Sequence, residues 1–288
     1  MTGVGRSSFD RLVVVLGKHR YRVEPGWSGD GEAFGLGAIS KLAADGEGRV
    51  YACQRTDPFL VRLGANGRVE AKWSDPAVFD PHGVGIGPTG NMFVVDRDGH
   101  RVHVFDRDGK KLSIIGDHAR PKLQAPFNHP TDAAQSSNGD IFVADGYGNS
   151  MVHRFAADGS HICSWGSPGS GPGQFSTPHG ICILPNERVA VGDRENNRIQ
   201  VFGFEGALQA IWQDVYHPME LCIDADGFVY VSDQTPRISM FAPSGEIVGR
   251  CRAPLPSVAH GMAIDPDGNI FLAGPRASAI VRLKRSED

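Results

Sequence analysis

The feature that most restricts what this chain can become is a repeat that returns six times. With the turn glycines Gly48, Gly90, Gly139, Gly227 and Gly268 in register, and Glu187 standing where a sixth would fall, one upstream position is filled in turn by Ser40, His82, Thr131, His179, Met219 and His260. The steps between these positions are 42, 49, 48, 40 and 41 residues. A period of that length is that of propeller blades or a solenoid and not of a doubly wound sheet. Six such units in 288 residues predict an all-β, six-bladed β-propeller.

The grammar inside each repeat agrees. An alternating apolar strand leads into a turn such as Pro88-Thr89-Gly90 or Asp265-Pro266-Asp267-Gly268, and a second strand such as Met92-Phe93-Val94-Val95 follows. A third strand, as in Val102-His103-Val104-Phe105, precedes an Asp-Gly or Ser-Gly turn (Asp108-Gly109, Asp158-Gly159, Ser244-Gly245) and an outer strand. The 37 glycines and 19 prolines suit many short strands and tight turns. The sixth repeat stops before its outer strand, so residues 11–27, which read as one or two strands, are expected to complete it and hide its edge. The expected organisation is a flexible N-terminus over residues 1–10 and one propeller domain over 11–288.

A formal charge of −4 with no basic block gives little support to nucleic acid as a partner. The apolar run Leu12 to Leu16 is too short to span a membrane and lacks a cleavage site after it, so neither a membrane partner nor a secretion signal is expected. Cys53, Cys163, Cys182, Cys222 and Cys251 form an odd, scattered set without a CxxC pair, which reads as reduced core thiols in a cytoplasmic protein.

Histidine occupies the axial position in blades 2, 4 and 6 alone. Alternate blades of a six-membered ring are about 120° apart, so His82, His179 and His260 are expected to converge on the axis from three sides. Three nitrogen ligands with an open fourth position are what a catalytic zinc uses, although another divalent metal would fit the same donors. Ser40, Thr131 and Met219 are expected simply to pack the channel.

Six residues beyond the turn glycine stand Asp96, Asp145, Asp193 and Asp233, a position suited to capping a turn by accepting backbone N–H bonds. The next position holds Arg55, Arg97, Gly146, Arg194, Gln234 and Pro275, with Tyr147 following in blade 3. These strand ends share one rim. An arginine fork there would hold a substrate carboxylate, and a tyrosine beside a metal and a cation is placed to act as a base. Pairing of Arg97 and Arg194 with neighbouring acids is the structural alternative. His129 and His217, each before a proline and two positions ahead of the axial residue, are candidates for substrate contact or for closing turns. His19, His100, His103, His118, His153 and His161 fall outside this register and are expected at the surface. The long connections 116–126 and 166–173 are expected either to select substrate or to be plain solvent loops.

Four runs together resemble a known family: Phe127 to Asp132, Phe142 to Ser150, Gly173 to Gly180 and Asp193 to Gln200 follow one another as in the NHL-repeat peptidyl-α-hydroxyglycine α-amidating lyases. The resemblance is specific over residues 79–202. It implies a zinc ion on His82, His179 and His260, a tyrosine base at Tyr147, and active-site arginines at Arg55 and Arg194. The reaction it implies is cleavage of an N-acyl carbinolamide to an amide and glyoxylate, with no redox cofactor. In the family a carboxylate after the third histidine helps hold a structural calcium; here that place is Gly261, so calcium is not carried over. The arginine usual after Asn-Ser is Met151. With neither a secretion signal nor an attached hydroxylating domain expected, a small-molecule substrate carrying a carboxylate fits better than a peptide.

Two other functions use the same residues differently. A hydrolase would attack an ester, lactone or amide with metal-bound hydroxide on the same triad. An NHL binding module would only display a surface, but a scaffold has no reason to keep histidine in every second blade.

Overall fold

The computed structural model describes residues 12–29, 35–275 and 279–286. The segment 1–10, expected to be flexible, lies outside them. Six antiparallel sheets form the ring: five four-stranded meanders and one of five strands. The inner strands are Ile39–Ala44, Pro81–Ile86, Asp132–Gln135, Pro178–Leu184, Pro218–Ile223 and Gly261–Ile264. Among the described residues the only helical element is one 3₁₀ turn at Arg194–Asn196, and no helix is long and apolar enough to cross a membrane.

Closure follows the expected route. His19–Glu24 pairs antiparallel with Val281–Arg285, in register from Tyr21 with Arg285 to Glu24 with Arg282. Val13–Leu16 then adds a fifth strand outside it. The sixth blade therefore joins the two ends of the chain, so its internal edge is paired rather than open to another chain.

Burial falls from the axis outward. The second strand of each blade is sealed, as in Met92–Asp96 and Ile141–Asp145, whereas the outer strand Lys111–Gly116 is largely exposed. The core lies between blades. Val95, Val102 and Ile115 of blade 2 pack against Ala133, Val143 and Phe155 of blade 3. Similar seams recur around the ring, and each buried large apolar side chain contributes roughly 1.5–3 kcal/mol. All five cysteines are free.

The missing turn glycine has a local explanation. Asn186 and Glu187 both take left-handed backbone, at φ 61° and 54°, so that turn forms with two side-chain-bearing residues where Gly90 (φ 85°) serves in blade 2. The recurring aspartates cap the loops as expected. Asp96 accepts from the backbone N–H groups of Phe79, Asp80 and Gly99, Asp145 from Asn128, Asp193 from Ser176 and Asp233 from Thr235. Each therefore ties the end of a second strand to a neighbouring loop, which fixes the rim around the channel.

Four of the six histidines expected at the surface are buried instead. His103 and His153 are fully enclosed and bond Asp96 and Asp145 across neighbouring strands, while His19 and His100 are also buried. The cause is the period of two along a strand: the third-strand histidine faces the same seam as the capping aspartate, and that buried carboxylate requires partners.

Candidate metal centre

His82, His179 and His260 meet on the axis. Their ligand nitrogens all lie within 4.8 Å of one another, and the ring centroids form a nearly equilateral triangle of 5.2, 5.3 and 5.4 Å. The void between them is small, about 10 Å³, and is bounded by all six axial residues.

The tautomers follow from the neighbours. Each Nδ1 donates to a backbone carbonyl of the next blade: His82 to Thr131 at 2.7 Å, His179 to Met219 at 2.8 Å and His260 to Ser40 at 2.5 Å. With Nδ1 holding the proton, Nε2 keeps its lone pair and faces the axis, as a metal ligand requires. The residue after each histidine makes this possible. A Cβ at Gly83 would stand 2.8 Å from Thr131 O, and one at Gly180 would stand 2.8 Å from Met219 O. Glycine thus lets the accepting carbonyl come close, and Gly261 occupies the same place in the sixth blade.

Electrostatics keep the rings neutral. Burial, then the charges of His179 and His260, holds His82 well below the usual imidazole value. Burial, then His260 and Arg194, does the same for His179. Burial lowers His260 to about 4. Three neutral imidazoles with converging Nε2 atoms fit a divalent metal, and of such metals zinc suits three nitrogens with a fourth site open.

Tyr147 reaches the same point. Its hydroxyl lies 3.1 Å from Nε2 of both His82 and His179, and Arg194 Nη1 donates to it at 3.4 Å. The guanidinium groups of Arg97 and Arg194 stand 5.5 and 5.4 Å from the tyrosine ring centroid. The structure therefore brings Tyr147, Arg97 and Arg194 together beside the histidines.

The arginines pair with neighbouring acids, the structural alternative raised for Arg97 and Arg194. Asp80 lies 2.6 Å from Arg55 Nη1 through one oxygen and 2.6 Å from Arg97 Nη2 through the other. Arg194 Nε donates to Glu195 at 2.8 Å. His217 Nδ1 lies 3.0 Å from the second oxygen of Glu195, and His129 Nε2 lies 4.0 Å from Asp98, itself bonded to Arg97. His129 and His217 thus stand behind the arginines and not at the axis. The available cue was the pair Arg97-Asp98 and Arg194-Glu195, an arginine followed by an acid in the two blades that precede those histidines.

The long connections are pinned from within. Asn149 donates to the carbonyls of Lys122 and Ala125, and Arg198 to those of Ser170, Gly171 and Gln174.

Comparison with known proteins bears on this geometry. Residues 127–155 and 175–202 match the family model of the NHL repeat. The chain is 41% identical over 131 residues to peptidylglycine alpha-amidating monooxygenase of Rattus norvegicus, a stretch that is 42% of this chain and 13% of that protein. It is 33% identical over 160 residues to peptidyl-alpha-hydroxyglycine alpha-amidating lyase 1 of Drosophila melanogaster, covering 51% of this chain and 30% of the relative. The match thus spans less than a third of either relative's length. Among solved structures, a gluconolactonase from Xanthomonas campestris superposes with a TM-score of 0.69 at 16% identity, over 94% of this chain and 91% of that one; that likeness concerns the fold. The chain is a six-bladed propeller with NHL-repeat matches in two stretches, and over part of its length it resembles the amidating lyases.

Proposed function

We propose that this chain is a metal-dependent carbon–nitrogen lyase that cleaves an N-acyl carbinolamide of the α-hydroxyglycine type into an amide and glyoxylate. The observation that carries the reading is the meeting of three neutral histidines with a tyrosine hydroxyl 3.1 Å from two of them.

A divalent metal, zinc by the donor set, would be held by His82, His179 and His260 and would supply Lewis-acid polarisation of a substrate oxygen. The chain's own residues do the rest. Arg194 faces the substrate carboxylate, with Arg55 and Arg97 on the same rim, and fixes the carbinol carbon beside Tyr147. Tyr147 takes the carbinol O–H proton while its own proton passes to the departing nitrogen. The C–N bond breaks, its electron pair stays on nitrogen, and the carbinol C–O becomes the aldehyde of glyoxylate. Glu195 and Asp98 hold Arg194 and Arg97 in place, and His217 and His129 lie behind those acids. A small substrate with a carboxylate is part of the reading, and free cysteines support a cytoplasmic setting.

A hydrolase is the second reading, favoured by one observation: Asp80 already pairs with both Arg55 and Arg97 and Glu195 with Arg194, so every arginine of the rim carries an acid and is less available to a substrate carboxylate. The two readings separate on product. Purified, zinc-loaded protein incubated with an N-acyl-α-hydroxyglycine should release glyoxylate and amide in equal amounts. Hydrolysis of a lactone or aryl ester without glyoxylate release would transfer the assignment to the hydrolase, and absence of stoichiometric metal with neither activity would leave a binding module.

A further inference from the structure

Beneath the three histidines lies an ion cluster with no part in the chemistry above. Lys41 Nζ pairs with Asp132 Oδ2 and lies 2.9 Å from Glu220 Oε1, and the three residues are only 8%, 2% and 3% exposed. They come from the inner strands of blades 1, 3 and 5, each one residue after the axial Ser40, Thr131 or Met219. Blades 2, 4 and 6 place Gly83, Gly180 and Gly261 there. Burial alone would lower Lys41, but the Asp132 and Glu220 carboxylates outweigh it and push it up. One ammonium and two carboxylates removed from water form a costly arrangement that apolar side chains of similar size would often match or better in stability.

What the cluster holds is visible in the backbone. The three carbonyls that accept the histidine Nδ1 protons belong to Ser40, Thr131 and Met219. Each of these carbonyls is therefore in the peptide bond that leads into Lys41, Asp132 or Glu220. Asp132 Oδ2 also accepts from Ile181 N at 3.0 Å, which links blade 3 to blade 4 below His179. With the Asp132 and Glu220 carboxylates both on the Lys41 ammonium, the three strands that carry these carbonyls are tied to one point.

We propose that Lys41, Asp132 and Glu220 form a positioning cluster that aims the three imidazoles at one point, Lys41 governing His260, Asp132 governing His82 and Glu220 governing His179. Its purpose rests on the metal-centre reading; the pairing of cluster residue with histidine does not. Lys41→Met leaves two buried carboxylates facing each other, so the odd blades move apart and the triangle of Nε2 atoms opens.

The test uses the full chain with labelled histidine. In metal-free protein the Nδ1–H resonances of His82, His179 and His260 are read in wild type, Asp132→Asn, Glu220→Gln and Lys41→Met, and zinc affinity is then measured by competition with a chromophoric chelator. Asp132→Asn should displace the His82 resonance most and Glu220→Gln that of His179. Lys41→Met should displace all three, His260 foremost, and weaken zinc at least tenfold. Equal displacement of all resonances in every variant, or none in any, overturns the proposal. So does wild-type zinc affinity in all three variants, which would leave the metal centre standing. If Lys41→Met fails to fold, the two isosteric variants decide by the same criteria. A wild-type chain that takes no zinc but shows the one-to-one pattern would remove the metal reading and keep the cluster.

Discussion

The burial of the three histidines should make the affinity of the proposed metal site nearly independent of pH over a range where exposed imidazoles would lose it. The perturbation is a fall from pH 7.5 to 5.5. An imidazole at its ordinary value of about 6.5 is ~90% protonated at pH 5.5, and three of them competing with one ion would weaken binding roughly thousandfold. Here His260 titrates at about 4 and His82 and His179 lie well below the usual value. At about 4, His260 would carry a second proton in fewer than ~5% of molecules at pH 5.5, and His82 and His179, which burial holds well below the usual value, would compete with the ion far less than free imidazoles, so the loss would stay far short of thousandfold. Affinity should then fall steeply only as the pH approaches 4, with up to three protons taken up per ion released. The assay is zinc competition against a chelator of known proton affinity at pH 7.5, 6.5 and 5.5. A loss of hundredfold or more by pH 5.5 would refute the argument, since it would mean the rings accept protons as freely as in water. The linked effect on metal-free protein has a definite sign. The unfolded chain takes up protons on these histidines below about 6.5 while the folded chain does not, so they contribute a loss of stability as the pH falls from there towards 4.

Three substitutions probe the remaining parts. Tyr147→Phe removes the hydroxyl of an exposed tyrosine but keeps the ring against Arg97 and Arg194, so stability should change by no more than about 1 kcal/mol; glyoxylate release should fall ~10²–10⁴-fold with zinc still bound, and unchanged turnover would take the tyrosine out of the reaction. Arg194→Met should raise KM for a carboxylate substrate by about tenfold or more, as loss of one charge-assisted bond implies, while a substrate with its carboxylate amidated should be little affected; steady-state kinetics on both substrates checks this. Asp96→Ala strips the acceptor from three backbone N–H groups and from the fully buried His103, and urea unfolding should show a loss of about 2–4 kcal/mol.

Much of this protein is written in short-range pattern. The six-fold period, the two-strand grammar around each turn glycine and the incomplete last repeat identify a ring and the way it shuts, because each blade is built from neighbours in sequence. The histidines at His82, His179 and His260 were legible for the same reason: a side chain at one fixed place in a repeat must return to one fixed place around the axis. The capping aspartates were legible too, since Asp96, Asp145, Asp193 and Asp233 act within their own blade and its loops. The pattern failed where a side chain's fate depends on a facing strand, as for His103 and His153, whose partners turn a surface expectation into full burial.

The amino-acid order by itself determined the architecture and the three donors, since both follow from period and position alone. Only the tertiary structure decided which charges meet. Asp80 stands between Arg55 and Arg97, Glu195 joins Arg194 to His217, and Lys41 bridges Asp132 and Glu220 from blades that are distant in sequence. Ion pairs form between whichever side chains a shared low-dielectric space brings within reach, and that space exists only once the ring has closed.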